Sequence, residues 1–230
     1  MDAEIWDEDR WEEFLQETDR QLERYMSILF LFLKDDPPAG EPGSAKRKDW
    51  EGRLRVYLLS HGMRPDASGP RQWGEALEDD DGDGQPPEDH FVFFEMEEAE
   101  SAASSLERIA LYDDAHRLAT RVLRWSNTLP GVLKDSTFVQ FCSHVTTIPA
   151  NIAKGHGIGY EMEMIGGNIA CAKRALDAAN TALDLLREMK EAAYMRDDVY
   201  RPLYEDLFHV RNDLGIRVQE LRARFDLGVD

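Results

Sequence analysis

Few side chains in this sequence stand at spacings that could do chemistry, and each set has a plainer reading beside it. Asp79, Asp81 and Asp83, followed by Gly84, match the oxygen-donor spacing of the first half of a calcium loop. The second half fails, because Pro86 falls where an apolar residue belongs and His90 takes the place of the bidentate Glu. The stretch therefore reads as acidic linker. A di-metal carboxylate site between helices needs repeated Glu-x-x-His pairs with two further Glu. The sequence offers Asp113-x-x-His116 and the wider-spaced Glu205 and His209, neither repeated, so the expectation is no metal site. Cys142 and Cys171 are too few for a disulfide framework or a metal quartet. Both fall on or beside apolar seams and read as small buried hydrophobes. Gly155-x-Gly157-x-Gly159 lacks the preceding strand and the lysine of a phosphate loop, and reads as a turn between helices. No Ser/His/Asp or Cys/His set is suggested by spacing. The expectation is no catalytic residue, no enzyme activity and no cofactor.

Cations offer a second kind of chemistry. Arg117, Arg121 and Arg124 in one predicted helix, with Arg211, Arg217, Arg222 and Arg224 in the last, are the candidate surface for a polyanion or a partner. The plainer reading is a solvated face with intrahelical pairs such as Glu220–Arg224. Net charge disfavours nucleic acid: the 230 residues carry a formal charge of −19. That charge is unevenly placed. Residues 1–100 hold 11 Lys/Arg against 28 Asp/Glu, while residues 101–230 hold 16 against 18. A third arrangement joins the two halves, with the acidic N-terminal helix lying on the basic face and masking it.

The elements that must position these residues are helices. Trp11, Leu15, Thr18, Leu22, Tyr25, Leu29 and Phe32 step by fours and threes, which predicts an amphipathic helix over about 7–34, stopped by Pro37-Pro38. A shorter helix is predicted from Lys46 to about His61. Residues 62–90 lack periodicity and read as a flexible acidic linker. Phe91–Phe94 reads as a hydrophobic clamp leading into the next helix, where Ser104 and Glu107 have capping-box spacing. Four further stripes follow: Leu111–Leu129, Phe138–Ile152, Ile165–Leu186 and Leu203–Phe225. Gly166-Gly167 inside the third costs roughly 1 kcal/mol per residue against Ala, which implies close packing against a partner helix. The fold class expected is all-α, an antiparallel up-down four-helix bundle over 101–230 with an acidic N-terminal helical extension over 1–100. The acidic opening MDAEIWDEDR lacks the pattern of a signal or transit peptide. The uncharged run Tyr25–Leu33 is too short to span a bilayer. With the sparse cysteines, these features point to a cytoplasmic protein that does not enter membranes.

Thr147-Ile148-Pro149-Ala150-Asn151-Ile152-Ala153-Lys154-Gly155 resembles the signature of the 23S rRNA intervening-sequence protein family, whose usual form is Ser-Ile-Pro-Ala-Asn-Ile-Ala-Glu-Gly. The resemblance covers about residues 106–227. Lys154 stands where the family has Glu, and residues 1–100 lie outside the family's core. These are bacterial four-helix-bundle proteins. The resemblance implies ring-like homo-oligomers, often pentamers, and a role in assembly or protein interaction. A related branch, the accessory protein of diversity-generating retroelements, implies the alternative of a nucleic-acid-binding or reverse-transcriptase accessory protein. From the residues themselves, Pro149 removes a helical donor, and Thr146 and Thr147 are placed to bond the freed carbonyls. Ala150 and Ala153 allow close helix approach, Asn151 can brace a neighbour, and Gly155 is expected to end the helix. The apolar excess at Trp125, Phe138, Phe141, Ile165, Phe208 and Phe225 also favours an oligomer.

Overall fold

The computed structural model describes residues 5–41, 43–63, 109–191 and 195–228. The described residues are all-α, with six helices and no strand: α1 (Glu8–Asp35), α2 (Ala45–Ser60), α3 (Ala110–Thr128), α4 (Ser136–Ile158), α5 (Ile165–Glu191) and α6 (Asp197–Leu227). The half calcium loop, the linker over 62–90, Phe91–Phe94 and the Ser104–Glu107 box lie outside the described residues. No described helix is long and apolar enough to cross a membrane.

By contacts the chain divides into two units. One contains the described residues 13–63; the other contains residues 5–12 together with 109–228. In the first, the end of α1 meets α2. The Trp50 indole N–H donates to the Asp36 carbonyl at 2.9 Å, Arg53 pairs with the Asp36 carboxylate at 2.8 Å, and Phe32 lies against Trp50 and Tyr57. Ser44 caps α2 by accepting from the Arg47 amide at 3.2 Å. The apolar stripe of α1 is covered unevenly. Trp11, Leu15 and Phe32 are buried, whereas Leu22 in mid-helix is 54% exposed.

In the second unit α4 packs on α5, α5 on α6, and α3 on both α4 and α6. The shared core holds Leu118, Val122, Phe141, Val145, Ile148, Leu186, Leu207 and Leu214. Burial of each such side chain contributes about 1.5–3 kcal/mol. Buried Ala175, Ala178, Ala179 and Ala182 on α5 are small enough to bring its neighbours close. Asp135 caps α4 through the Phe138 amide at 3.0 Å. Gly228, in the left-handed region at φ +60°, ends α6.

The structure corrects the expected end of α4. Gly155 does not stop the helix, which continues three residues further to Ile158, and Gly159 at φ +121° is the cap. Gly155 is buried within the helix because α5 presses on it. A Cβ there would come within 3.0 Å of Asn168 Oδ1 and 3.1 Å of the Cys171 Cβ. Asn168, buried, donates its Nδ2 to the Gly159 carbonyl at 3.0 Å and so ties the end of α4 to the start of α5.

Candidate functional site

The most developed local chemistry lies where residues 5–12 meet α5 and α6, all within the second unit. Asp7 begins the arrangement by accepting from the Arg10 amide at 2.9 Å, which starts α1. The rings of Trp6 and Trp11 meet edge to face at 5.5 Å, and the Arg10 guanidinium lies 4.6 Å from the Trp6 ring. Trp11 is only 2% exposed. It rests on Gly166 and Gly167 at the first turn of α5. A Cβ on Gly166 would overlap the Trp6 carbonyl oxygen and stand 2.8 Å from Trp11 Cδ1. One on Gly167 would stand 2.9 Å from two carbons of the same indole. The glycine pair is therefore a notch shaped by the absence of side chains. The helical cost of the pair is offset by an aromatic anchor that no larger residue would admit.

Charge complements shape on both sides of the notch. Glu8 accepts from Lys173 Nζ at 3.1 Å and from Arg222 Nε at 2.9 Å. Glu12 takes both arms of the Arg174 guanidinium, at 2.8 and 3.0 Å. The Arg222 hydrogen bonds hold the Glu8 carboxyl below its ordinary value of 4.5; burial opposes them and Lys173 adds to them. Because the folded pKa is depressed, this stabilisation is fully present above the ordinary carboxylate range. It is lost as pH falls through the lowered value. Thermal melts between neutral pH and pH ~3 should therefore show a loss on the acid side of the ordinary Glu value, and that loss should be smaller in Glu8→Gln, where, among the described residues, only the depressed Asp36 and Asp197 remain to contribute. An unchanged pH profile in Glu8→Gln would rule out this pairing.

Of the seven arginines marked in the sequence, the structure brings only Arg222 to this site. Arg117 pairs with Asp114 on its own helix, and Arg121 with Asp206 across the α3–α6 seam. Arg211 donates to Asn180 at 2.9 Å and to Asn212 at 3.1 Å. Arg217 lies over the Tyr160 ring and 4.0 Å from Glu220, so Glu220 pairs toward Arg217 and not toward Arg224 as expected. Arg124 and Arg224 have no hydrogen bond or ion pair with the described residues. Arg117, Arg121, Arg217 and Arg222 thus stand in ion pairs, in keeping with the plainer reading of a solvated, paired face.

The nine-residue motif does structural work, with changes from expectation. Ile148 and Pro149 are buried within α4. Thr146 bonds the Cys142 and Ser143 carbonyls and Thr147 bonds that of Ser143. The carbonyl freed by Pro149 belongs to Val145, two and three residues beyond those of Ser143 and Cys142, so neither threonine bonds it as expected. Asn151 donates to the Thr147 carbonyl at 3.2 Å within its own helix, and among the described residues it has no hydrogen bond to another helix. Ala150 is exposed, so no helix among the described residues packs closely on it.

Asp113 and His116 are both exposed, as are Glu205 and His209. His116 stacks on Tyr112 at 5.8 Å. Cys171 is buried, and burial pushes the half-buried Cys142 thiol up, away from the thiolate. One small cavity, lined by Asn151, Tyr160, Asn168 and Arg217 among others, has a volume of about 20 Å³, room for a single water.

Sequence reading missed Lys173, Arg174 and Asn168. The available signal was the Lys173-Arg174 step and the early Asn168 in an α5 sequence otherwise rich in Ala and Leu. No family model, curated protein or solved structure matches this chain.

Proposed function

We propose that this chain is a non-catalytic assembly protein, a homo-oligomer of antiparallel up-down four-helix bundles joined by the contact between the N-terminal arm and the glycine notch. The observation that carries this reading is Trp11 on Gly166-Gly167, flanked by Glu8–Lys173–Arg222 and Glu12–Arg174. A buried aromatic anchor with a charged rim is the anatomy of a protein–protein contact. The same contacts form whether the arm belongs to the same copy or to the next. Arm and notch are different surfaces, so exchange between copies is head-to-tail and closes into a ring when the rotation permits. A pentamer agrees with the family resemblance. Val139, Phe208 and Ile216, between 45% and 57% exposed, supply further apolar surface for association. Light scattering on the purified chain at micromolar concentration should show a discrete oligomer, with Trp11→Ala shifting it toward monomer. A wild-type chain that is cleanly monomeric under those conditions would sink the proposal.

A second reading, nucleic-acid binding of the retroelement-accessory type, is favoured by one observation. Lys173, Arg174 and Arg222 are gathered under two carboxylates of the arm. In this reading the acidic arm masks a polyanion site. Deleting residues 1–12 should then produce RNA or DNA binding that weakens steeply with salt. If the deletion variant leaves nucleic acid unshifted at low salt, this reading is discarded.

A further inference from the structure

A different part of the second unit brings metal-binding side chains together. Asp114 lies on α3, and His209 and Asp213 lie one turn apart on α6. Each offers one ligand atom, and the three atoms lie within 4.8 Å of one another. The seam between the helices fixes this meeting. Arg121 of α3 pairs with Asp206 of α6, while seven residues earlier on α3 Asp114 faces the residue seven later on α6, Asp213. Residue order reverses across the contact, so one register serves both meetings. The helices are held at this depth by buried Ala115, Leu118, Val210 and Leu214. The three ligand residues therefore stand on packed helices and not on loops.

We infer that Asp114, His209 and Asp213 form a binding site for one divalent transition-metal ion, of the zinc or cobalt type. The donor set decides the class of metal. One imidazole nitrogen with two carboxylate oxygens suits zinc, cobalt or nickel, whereas calcium and magnesium take oxygen alone. In a tetrahedral zinc site with bonds of about 2.0–2.1 Å, donors lie about 3.4 Å apart, so the triad must contract slightly around the ion. His209 Nε2 and Asp213 Oδ2 already stand 3.4 Å apart. Asp114 and Asp213 are half-buried and His209 lies at the rim, which leaves the outer positions of the ion open to water. The site crosses from α3 to α6, so metal clamps the two helices together. Its one resident competitor is Arg117, whose guanidinium holds Asp114 and must swing out when the ion enters.

Zinc chloride alone, titrated into the full-length chain and followed calorimetrically, should bind one ion per chain and raise the melting temperature. Cobalt in its place should give the visible absorption of a low-coordinate nitrogen–oxygen site. His209→Ala and Asp114→Asn should each weaken zinc binding at least about tenfold, with helicity and metal-free melting unchanged. Arg117→Ala should tighten it, because the competing guanidinium is gone. His116→Ala should leave it as it is. Zinc binding that is absent in the wild-type chain, or equal in the wild type and His209→Ala, would overturn the inference. An Asp114→Asn variant with wild-type affinity would likewise remove the cross-helix site.

Discussion

Trp11→Ala lowers the stability of the unit formed by residues 5–12 and 109–228 by about 3–5 kcal/mol, the usual cost of deleting a fully buried aromatic. Trp11 is 2% exposed, and the surface beneath it is glycine backbone. The edge-to-face contact with Trp6 adds about 0.5–1.5 kcal/mol that is lost with it. The flanking ion pairs cannot hold the arm without the indole. Their side chains are between 19% and 48% exposed, and such pairs contribute about 0.2–1 kcal/mol each. Urea denaturation read by helicity measures the change. A shift below about 1 kcal/mol would mean that the arm is held by its charges and that the indole is no anchor.

Gly166→Ala should destabilise the wild-type chain and stabilise Trp11→Ala, a reversal of sign from a single methyl group. In an open helical position, Gly to Ala gains about 0.5–1 kcal/mol from backbone entropy. Gly215 on α6 is such a position, with nothing within 4 Å of an added Cβ, and Gly215→Ala should gain that amount in either background. At Gly166 the added carbon meets the Trp6 carbonyl and the Trp11 ring. Backbone cannot step aside as the end of a flexible side chain can, so the arm must leave, and most of the Trp11 contribution leaves with it. Once Trp11 has been truncated there is little left to expel, and the intrinsic helical gain emerges. A double-mutant cycle in urea isolates this coupling, expected at about 2–3 kcal/mol. Additive effects at the two sites would refute the notch.

The helices were legible because an apolar residue every three or four positions is set by burial of one face, and that pattern is local. The expected spans 7–34 and 46–61 fall within a residue of α1 and α2. The end of α4 was not legible. Three alternate glycines look like a turn, whereas Gly155 sits inside the helix at a close approach to Asn168 and Cys171 on α5, which no local pattern shows. Gly166-Gly167 did announce a close approach, yet not its occupant. What fills the notch is the start of α1, more than 150 residues away in sequence. The partners of the arginines were not legible for a related reason. Sequence places them on helices, while the identity of each partner, Asp206 for Arg121 or Asn180 for Arg211, depends on register between helices. The triad Asp114–His209–Asp213 was hidden in the same way, since Asp113 and Glu205 have the better local spacing and face solvent.

The arm precedes α3 to α6 along the chain, and that order bears on folding. α4 and α5 are neighbours in sequence, pack most extensively, and are tied at their turn by Asn168, so their association closes only a short loop. Glu8 and Lys173 are separated by 165 residues, and their meeting closes one of the longest loops in the molecule. Residues 5–12 are the first of this unit to leave the ribosome and the last to find their seat. Until α5 and α6 have been synthesised and joined, Trp6 and Trp11 have no surface of their own chain on which to rest.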